Sequence, residues 1–265
     1  MHVTVISGLF AVMFYLMGSV FQGIHFISSK DTRSTVMAFG LIAVIAHGIS
    51  AYGVIRTTSG YHFGISEITT LIAVSISLLV LISSIRKPLE NLFLGLFPLA
   101  ILAILFSLTV RSNFPPTQMS LGLASHVLLS ILAYSLFTIA AAQALFLAYQ
   151  NYQLKHGHAG GLVSRFPPLQ DMEVFLFELL WVGEILLSFG IIGGLMFNED
   201  IWSIHRVIHK TFFSILAWSV FAVLLWGRHQ LGWRGVTAIR GTLVGFAFLI
   251  LGFYGSKIVL EYILS

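Results

Sequence analysis

Leu92–Val110 reads LFLGLFPLAILAILFSLTV, without one charged side chain from end to end. A helix rises about 1.5 Å per residue, so roughly 20 residues cross a hydrocarbon core about 30 Å thick. Lipid offers the backbone no hydrogen-bond partner, so a stretch of this kind must close its own bonds as a helix. Comparable apolar stretches recur on both sides of it, at about Val3–Phe26, Thr35–Ile55, Ser66–Ile85, Leu121–Tyr149, Met172–Phe197, Val207–Gly227 and Arg240–Leu264. The reading is an all-α polytopic membrane protein with about eight transmembrane helices, a single integral membrane domain over residues 1–265. The Leu121–Tyr149 stretch exceeds a perpendicular span, so that helix either tilts or projects beyond the bilayer.

Composition agrees. The chain is 57% hydrophobic and 9% charged, where a soluble domain carries about a quarter charged residues. Cysteine is absent, which excludes a disulfide, a thiol relay, a cysteine-held iron–sulfur cluster and covalent haem attachment through C-x-x-C-H. Any metal or haem would be held by His, Met or carboxylate. The net charge of +4 comes from few, scattered residues and reports topology rather than nucleic-acid binding. The first apolar run lacks a basic n-region and is longer than a signal core, so it is expected to be a retained helix.

The loops after helices 1, 3, 5 and 7 hold Lys30, Arg33, Arg86, Lys87, Lys155, Arg165, Arg228, Arg234 and Arg240. Those on the other side hold Arg56, Arg111, Arg206 and Lys210. The positive-inside bias places the first group in the cytoplasm and both termini outside. His62, His126, His205 and His209 then lie toward the outer face, and His47 lies within helix 2 in its outer half.

These histidines are the strongest chemical signal. Neutral imidazole is a common iron ligand, and two imidazoles on facing helices can hold a porphyrin between them. His205 and His209 stand four apart, which puts both on one helix face and also suits a transition metal. The competing reading is local hydrogen bonding or solvation near the headgroups, and singly His62 and His205 fit it better. His126 and His209 divide evenly between the two readings, whereas His47, ionisable inside a span, leans to function.

Glu178 and Glu184 lie in helix 6. Each is a proton relay, a partner for a cationic ligand or a neutral hydrogen-bonded acid, with Glu178 reading as structural and Glu184 left open. Lys257 and Glu261, four apart, read as an intrahelical ion pair. Gly190-x-x-x-Gly194 and Gly241-x-x-x-Gly245 permit close helix contact or, less simply, a flat platform for a planar ligand. Trp202, Trp218, Trp226 and Trp233 read as interfacial anchors. No P-loop, G-x-S-x-G or H-E-x-x-H occurs, so no hydrolase or ATPase motif is present.

Four segments of the second half carry a family resemblance. They are Ser125-His126-Val127 with Ala133-Tyr134; Phe189-Gly190 with Gly193-Gly194 and Asn198-Glu199; Lys210 with Trp218, Arg228 and Gly232-Trp233-Arg234-Gly235; and Phe253-Tyr254-Gly255. Together they resemble the CcsA/CcmC/HemX superfamily of haem-handling cytochrome c assembly proteins, and most nearly its small YpjD-like branch. Where that family carries W-G-x-x-W-x-W-D-P-K-E, this chain reads Ile201-Trp202-Ser203-Ile204-His205-Arg206-Val207-Ile208-His209-Lys210. The lysine remains; the aspartate and most tryptophans do not. Trp226 stands where the family has a further histidine.

The resemblance implies a haem-binding, haem-handling protein of the bacterial inner membrane, supporting cytochrome c assembly or regulating haem supply without bond-making catalysis. The cofactor it implies is haem b, held by His126 as the family's haem-region histidine, with His47 and His209 as further ligands. Lys210, Arg206 or Arg111 would pair with propionates. The partners implied are haem, the lipid bilayer and other cytochrome-assembly or transporter membrane proteins. Two other readings stand beside it: a non-haem accessory subunit of a membrane transporter, and a proton-coupled carrier using Glu184 and His47.

Overall fold

The computed structural model describes residues 2–28, 32–87, 89–110, 115–157, 160–161, 163–197 and 204–258, with backbone only for residues 28, 90, 197 and 204–209. Among the described residues, eight helices are long and apolar enough to cross a membrane. They are α1 (His2–Ser28), α2 (Arg33–Ile55), α3 (Ile65–Arg86), α4 (Glu90–Thr109), α5 (Leu121–Lys155), α6 (Leu169–Phe197), α7 (Ile204–Leu231) and α8 (Val236–Ile250). The last continues through a π-helical turn, Leu251–Gly255, into α9 (Ser256–Ile258). The protein is therefore an all-α polytopic membrane protein. At about 50 Å, α5 is far longer than a perpendicular span requires.

Two departures from the sequence reading have physical causes. A two-residue hairpin, β1 (Arg56–Thr57) and β2 (Gly60–Tyr61), follows α2, and Tyr61 exchanges both backbone bonds with Thr117 at 3.0 and 2.9 Å. Gly60, with φ of 143°, makes the turn that a side chain would strain. The final helix does not run regularly to Leu264. It widens where Gly252 meets α7: a Cβ there would lie 2.9 Å from that of Phe213 and 3.5 Å from the Lys210 carbonyl. Residues 259–265, and with them Glu261 of the expected ion pair, lie outside the described residues.

The chain folds as two compact units, Met1–Thr117 with Tyr149–Pro168, and Gln118–Ala148 with Leu169–Ser265. In the first, α1 to α4 pack around Tyr15, Phe93 and Phe97, all fully buried. Phe97 stacks on Phe93 at 4.8 Å and tilts against Tyr15 at 5.1 Å. In the second, Phe137 of α5 stacks on Phe221 of α7 at 4.1 Å. The glycine pairs serve close packing here. Gly241 and Gly245 receive the side chains of Leu224 and Phe221, so α8 approaches α7 to a distance that any larger residue would prevent.

One end of the second unit is locked by charge. The Glu173 carboxylate accepts from Arg228 Nη1 at 2.8 Å and from the backbone N–H of Gly235 at 2.8 Å. Arg228 also donates to the Trp233 carbonyl at 3.2 Å and lies 4.7 Å from the Phe177 ring centroid. Gly232 and Gly235 take positive φ, 66° and 59°, and turn the chain from α7 into α8. The segment Arg228 to Gly235, one of the four that carried the family resemblance, is thus a structural staple.

Candidate functional site in the second unit

α5 begins at Leu121 after Ser120, whose hydroxyl accepts the Leu123 N–H at 3.2 Å. His126 follows on the second turn, half-buried, and faces the glycine-rich end of α6. A Cβ on Gly194 would stand 2.9 Å from His126 Cε1, and one on Gly193 would stand 3.6 Å from His126 Cβ. Gly193 and Gly194 leave the room in which the imidazole lies, while Gly190 supplies its carbonyl and packs against Ser130. Phe189-Gly190 and Gly193-Gly194 of the resemblance are therefore the bed of the family histidine.

The ring is oriented by one bond. His126 Nδ1 lies 2.8 Å from the Gly190 carbonyl oxygen. A carbonyl only accepts, so Nδ1 carries the proton, and in neutral imidazole the lone pair then sits on Nε2. No described residue hydrogen-bonds Nε2. Metal-ligating histidines almost always donate their second ring N–H to a carbonyl or carboxylate in this way, which fixes tautomer and orientation together. Sequence reading found His126 but not Gly190 as its orienter. The only signal was the coincidence of a histidine near the start of one span with glycines near the end of the next.

Lys210 of α7 is exposed, its ammonium 5.6 Å from the Phe253 ring centroid. Phe253 sits in the π-helical turn and packs on Tyr134 at 5.3 Å, while the Tyr134 hydroxyl donates to the Leu249 carbonyl at 2.8 Å. Lys210 lies within electrostatic reach of His126, and Lys257 within reach of Lys210. α5, α6, α7 and the turn after α8 thus bring an imidazole whose Nε2 meets no hydrogen-bond partner among the described residues, a cation and an aromatic ring to one end of this unit.

The other predicted residues fall out differently. His47, in the first unit, is fully buried. Its Nε2 lies 2.9 Å from Thr70 Oγ1 and its Nδ1 3.3 Å from the Tyr15 hydroxyl, so both ring nitrogens are engaged. An iron ligand needs a lone pair directed at open space, and His47 has none. Alanine at this position is expected to cost about 2 kcal/mol by orphaning buried hydroxyls, measured by thermal unfolding, while haem affinity stays unchanged. His62, half-buried, follows the hairpin and donates its backbone N–H to the Ile55 carbonyl. His205 and His209 are four apart on helical backbone, but their side chains and that of Arg206 lie outside the described residues, as does Arg111. Glu178 is exposed, and Glu184 is buried with neither carboxylate oxygen hydrogen-bonded among the described residues. Among the described residues no three His, Asp or Glu side chains cluster to hold a metal ion unaided.

The profile of the family described as "Cytochrome C assembly protein" matches residues 35–264. It therefore takes in α2 to α4 as well as the second half, which alone carried the sequence-level resemblance. "Inner membrane protein YpjD" of Escherichia coli is 29% identical over 238 residues, covering 87% of this chain and 88% of that protein. "Protein HemX" of Brevibacillus brevis is 21% identical over 134 residues, covering 50% and 49% of the two chains. "Cytochrome c biogenesis protein CcsA" of Lolium perenne is 23% identical over 91 residues, covering 34% and 28%. No solved structure matches significantly. With the matched region spanning every helix from α2 onward, the chain belongs to the cytochrome c assembly protein family.

Proposed function

We propose that this protein binds and handles haem b in the bacterial inner membrane, with His126 as an iron ligand and Lys210 as a partner for a propionate. Family membership supports a haem-handling role in general. The observation that carries the specific reading is the 2.8 Å bond from His126 Nδ1–H to the Gly190 carbonyl, which puts the lone pair on Nε2, with Lys210 within electrostatic reach. Those residues fit haem: a tautomer-fixed imidazole for the iron, an ammonium for a carboxylate and an aromatic face nearby. A bound haem would supply a coordinating iron centre and two anionic propionates; the chain supplies orientation and charge. No residue here is assigned to bond-making catalysis.

His209 and His205 are proposed as candidates for a second axial ligand on sequence grounds, because their helix leads directly into Lys210. His47 is left out, since its nitrogens are spent inside the first unit. The inner-membrane location draws on the relative whose name states it. The lysine and arginine bias supports an orientation with both termini, and the His126 end of α5, on the outer side. The haem would serve cytochrome c assembly or the regulation of haem supply, in company with other membrane proteins of either pathway.

Titration of the detergent-purified protein with ferric haem tests the reading. A Soret band that sharpens and shifts to saturation at about one haem per chain is expected. A spectrum that stays that of free haem in detergent would overturn it and favour the non-haem accessory role.

A further inference from the structure

The end of the last helix is built to hold Lys257 beside Lys210. Gly252 gives the helix its close approach to α7, where a Cβ would meet Phe213 and the Lys210 carbonyl. At that contact the helix widens into the π-helical turn Leu251–Gly255, a distortion that frequently marks functional sites. Ser256 settles the widened turn: its hydroxyl lies 2.7 Å from the Gly252 carbonyl oxygen and 3.0 Å from that of Phe253. Both the turn and α9 after it pack on α7.

The outcome is two cations around one aromatic ring. The Lys210 ammonium lies 5.6 Å from the Phe253 ring centroid. Lys257 follows Phe253 by four residues, so the two share a helix face. It is half-buried and within electrostatic reach of Lys210, which is itself within reach of His126. Among the described residues Lys210 pairs with no carboxylate.

Two ammonium groups on one surface repel each other. A ligand with two negative charges relieves that repulsion and gains a charge-assisted contact at each cation, which a ligand with one charge cannot match. Topology does not call for these lysines. Both stand on the side that the lysine and arginine bias makes outer, where such residues are otherwise few. An imidazole, an aromatic face and two cations at one end of the unit are the complement of a planar ligand with two carboxylates.

We propose that Lys210 and Lys257 together clamp the two propionates of a tetrapyrrole, so that the site takes porphyrin dicarboxylates with or without iron. The proposal rests on the haem reading for the planar core of the ligand. It adds Lys257 to the site and assigns the choice of ligand to the paired carboxylates rather than to the metal.

The test uses the full chain in phosphatidylcholine nanodiscs, titrated with iron-free protoporphyrin and with its dimethyl ester and followed by porphyrin fluorescence anisotropy. The diacid is expected to bind roughly twentyfold more tightly than the ester. Lys210→Met and Lys257→Met keep the apolar stem and are each expected to weaken the diacid roughly fivefold without changing the ester. Arg240→Met, which removes an exposed cation near the start of α8, is expected to change neither. No binding of the diacid, equal affinity for diacid and ester, or a Lys257→Met protein with the wild-type preference would overturn the clamp. The last of these is also the behaviour of a lysine that serves only an ion pair with Glu261. A preference that vanishes in discs rich in phosphatidylglycerol would assign the lysines to lipid phosphate and overturn it as well. The haem reading fails separately: ferric haem would then give no Soret shift while the lysine-dependent preference for the iron-free diacid remained.

Discussion

Replacing His126 with alanine is expected to weaken haem binding by tenfold or more and to abolish the ligand-field shift of the Soret band. The reasoning is local. The 2.8 Å bond to the Gly190 carbonyl holds the proton on Nδ1, so the only nitrogen able to reach a metal is Nε2, and alanine removes it. The fold is expected to survive, because the ring is half-buried and its bed is glycine. His126→Gly supplies the complementary test: free imidazole added to that variant should restore the band, since the space it leaves is flanked by Gly193 and Gly194 and keeps the Gly190 carbonyl as an acceptor. A purely structural histidine would lose stability on truncation and gain no spectral rescue from imidazole.

The second large effect lies at the staple of the same unit. Arg228→Ala is expected to destabilise the protein by about 3 kcal/mol, read as a lowered midpoint in unfolding monitored by tryptophan fluorescence. The change strips Glu173 of its cation while keeping the carboxylate partly buried, its side chain 14% exposed, and it releases the Trp233 carbonyl. Glu173→Gln is expected to cost about 2 kcal/mol, because the amide oxygen can keep the Gly235 N–H bond while the amide nitrogen replaces the oxygen that accepted from Arg228, so the charge and one acceptor are lost together. Equal costs for the two variants would show that side-chain bulk, rather than the paired charge, holds the turn.

The helices were legible because lipid leaves a chain few choices. An uncharged run such as Leu92–Val110 can only be a span, and α4 forms there despite Pro98 within it. The hairpin at Arg56 to Tyr61 escaped notice because two-residue strands carry no periodicity, and its partner Thr117 is remote in sequence. The π-helical turn escaped because it arises from packing of Gly252 against α7, which local sequence does not encode.

The site divides in the same way. His126 and Lys210 could be singled out as residue types in a place where ionisable groups are costly. Their meaning depends on a backbone carbonyl 64 positions away, which no spacing rule reveals. His47 looked the better ligand from sequence, being deeper in its span. Tertiary contacts with Thr70 and Tyr15 satisfy it instead. Histidine depth alone does not separate a ligand from a histidine that ties helices together; the partners of its two nitrogens do.

The most direct test is the visible spectrum of wild type and His126→Ala purified in parallel from cells grown with a haem precursor, at equal amounts of folded protein. The account predicts a Soret band in the wild type and its near-complete loss in the variant. Equal pigment in both preparations, or two colourless ones, would contradict it.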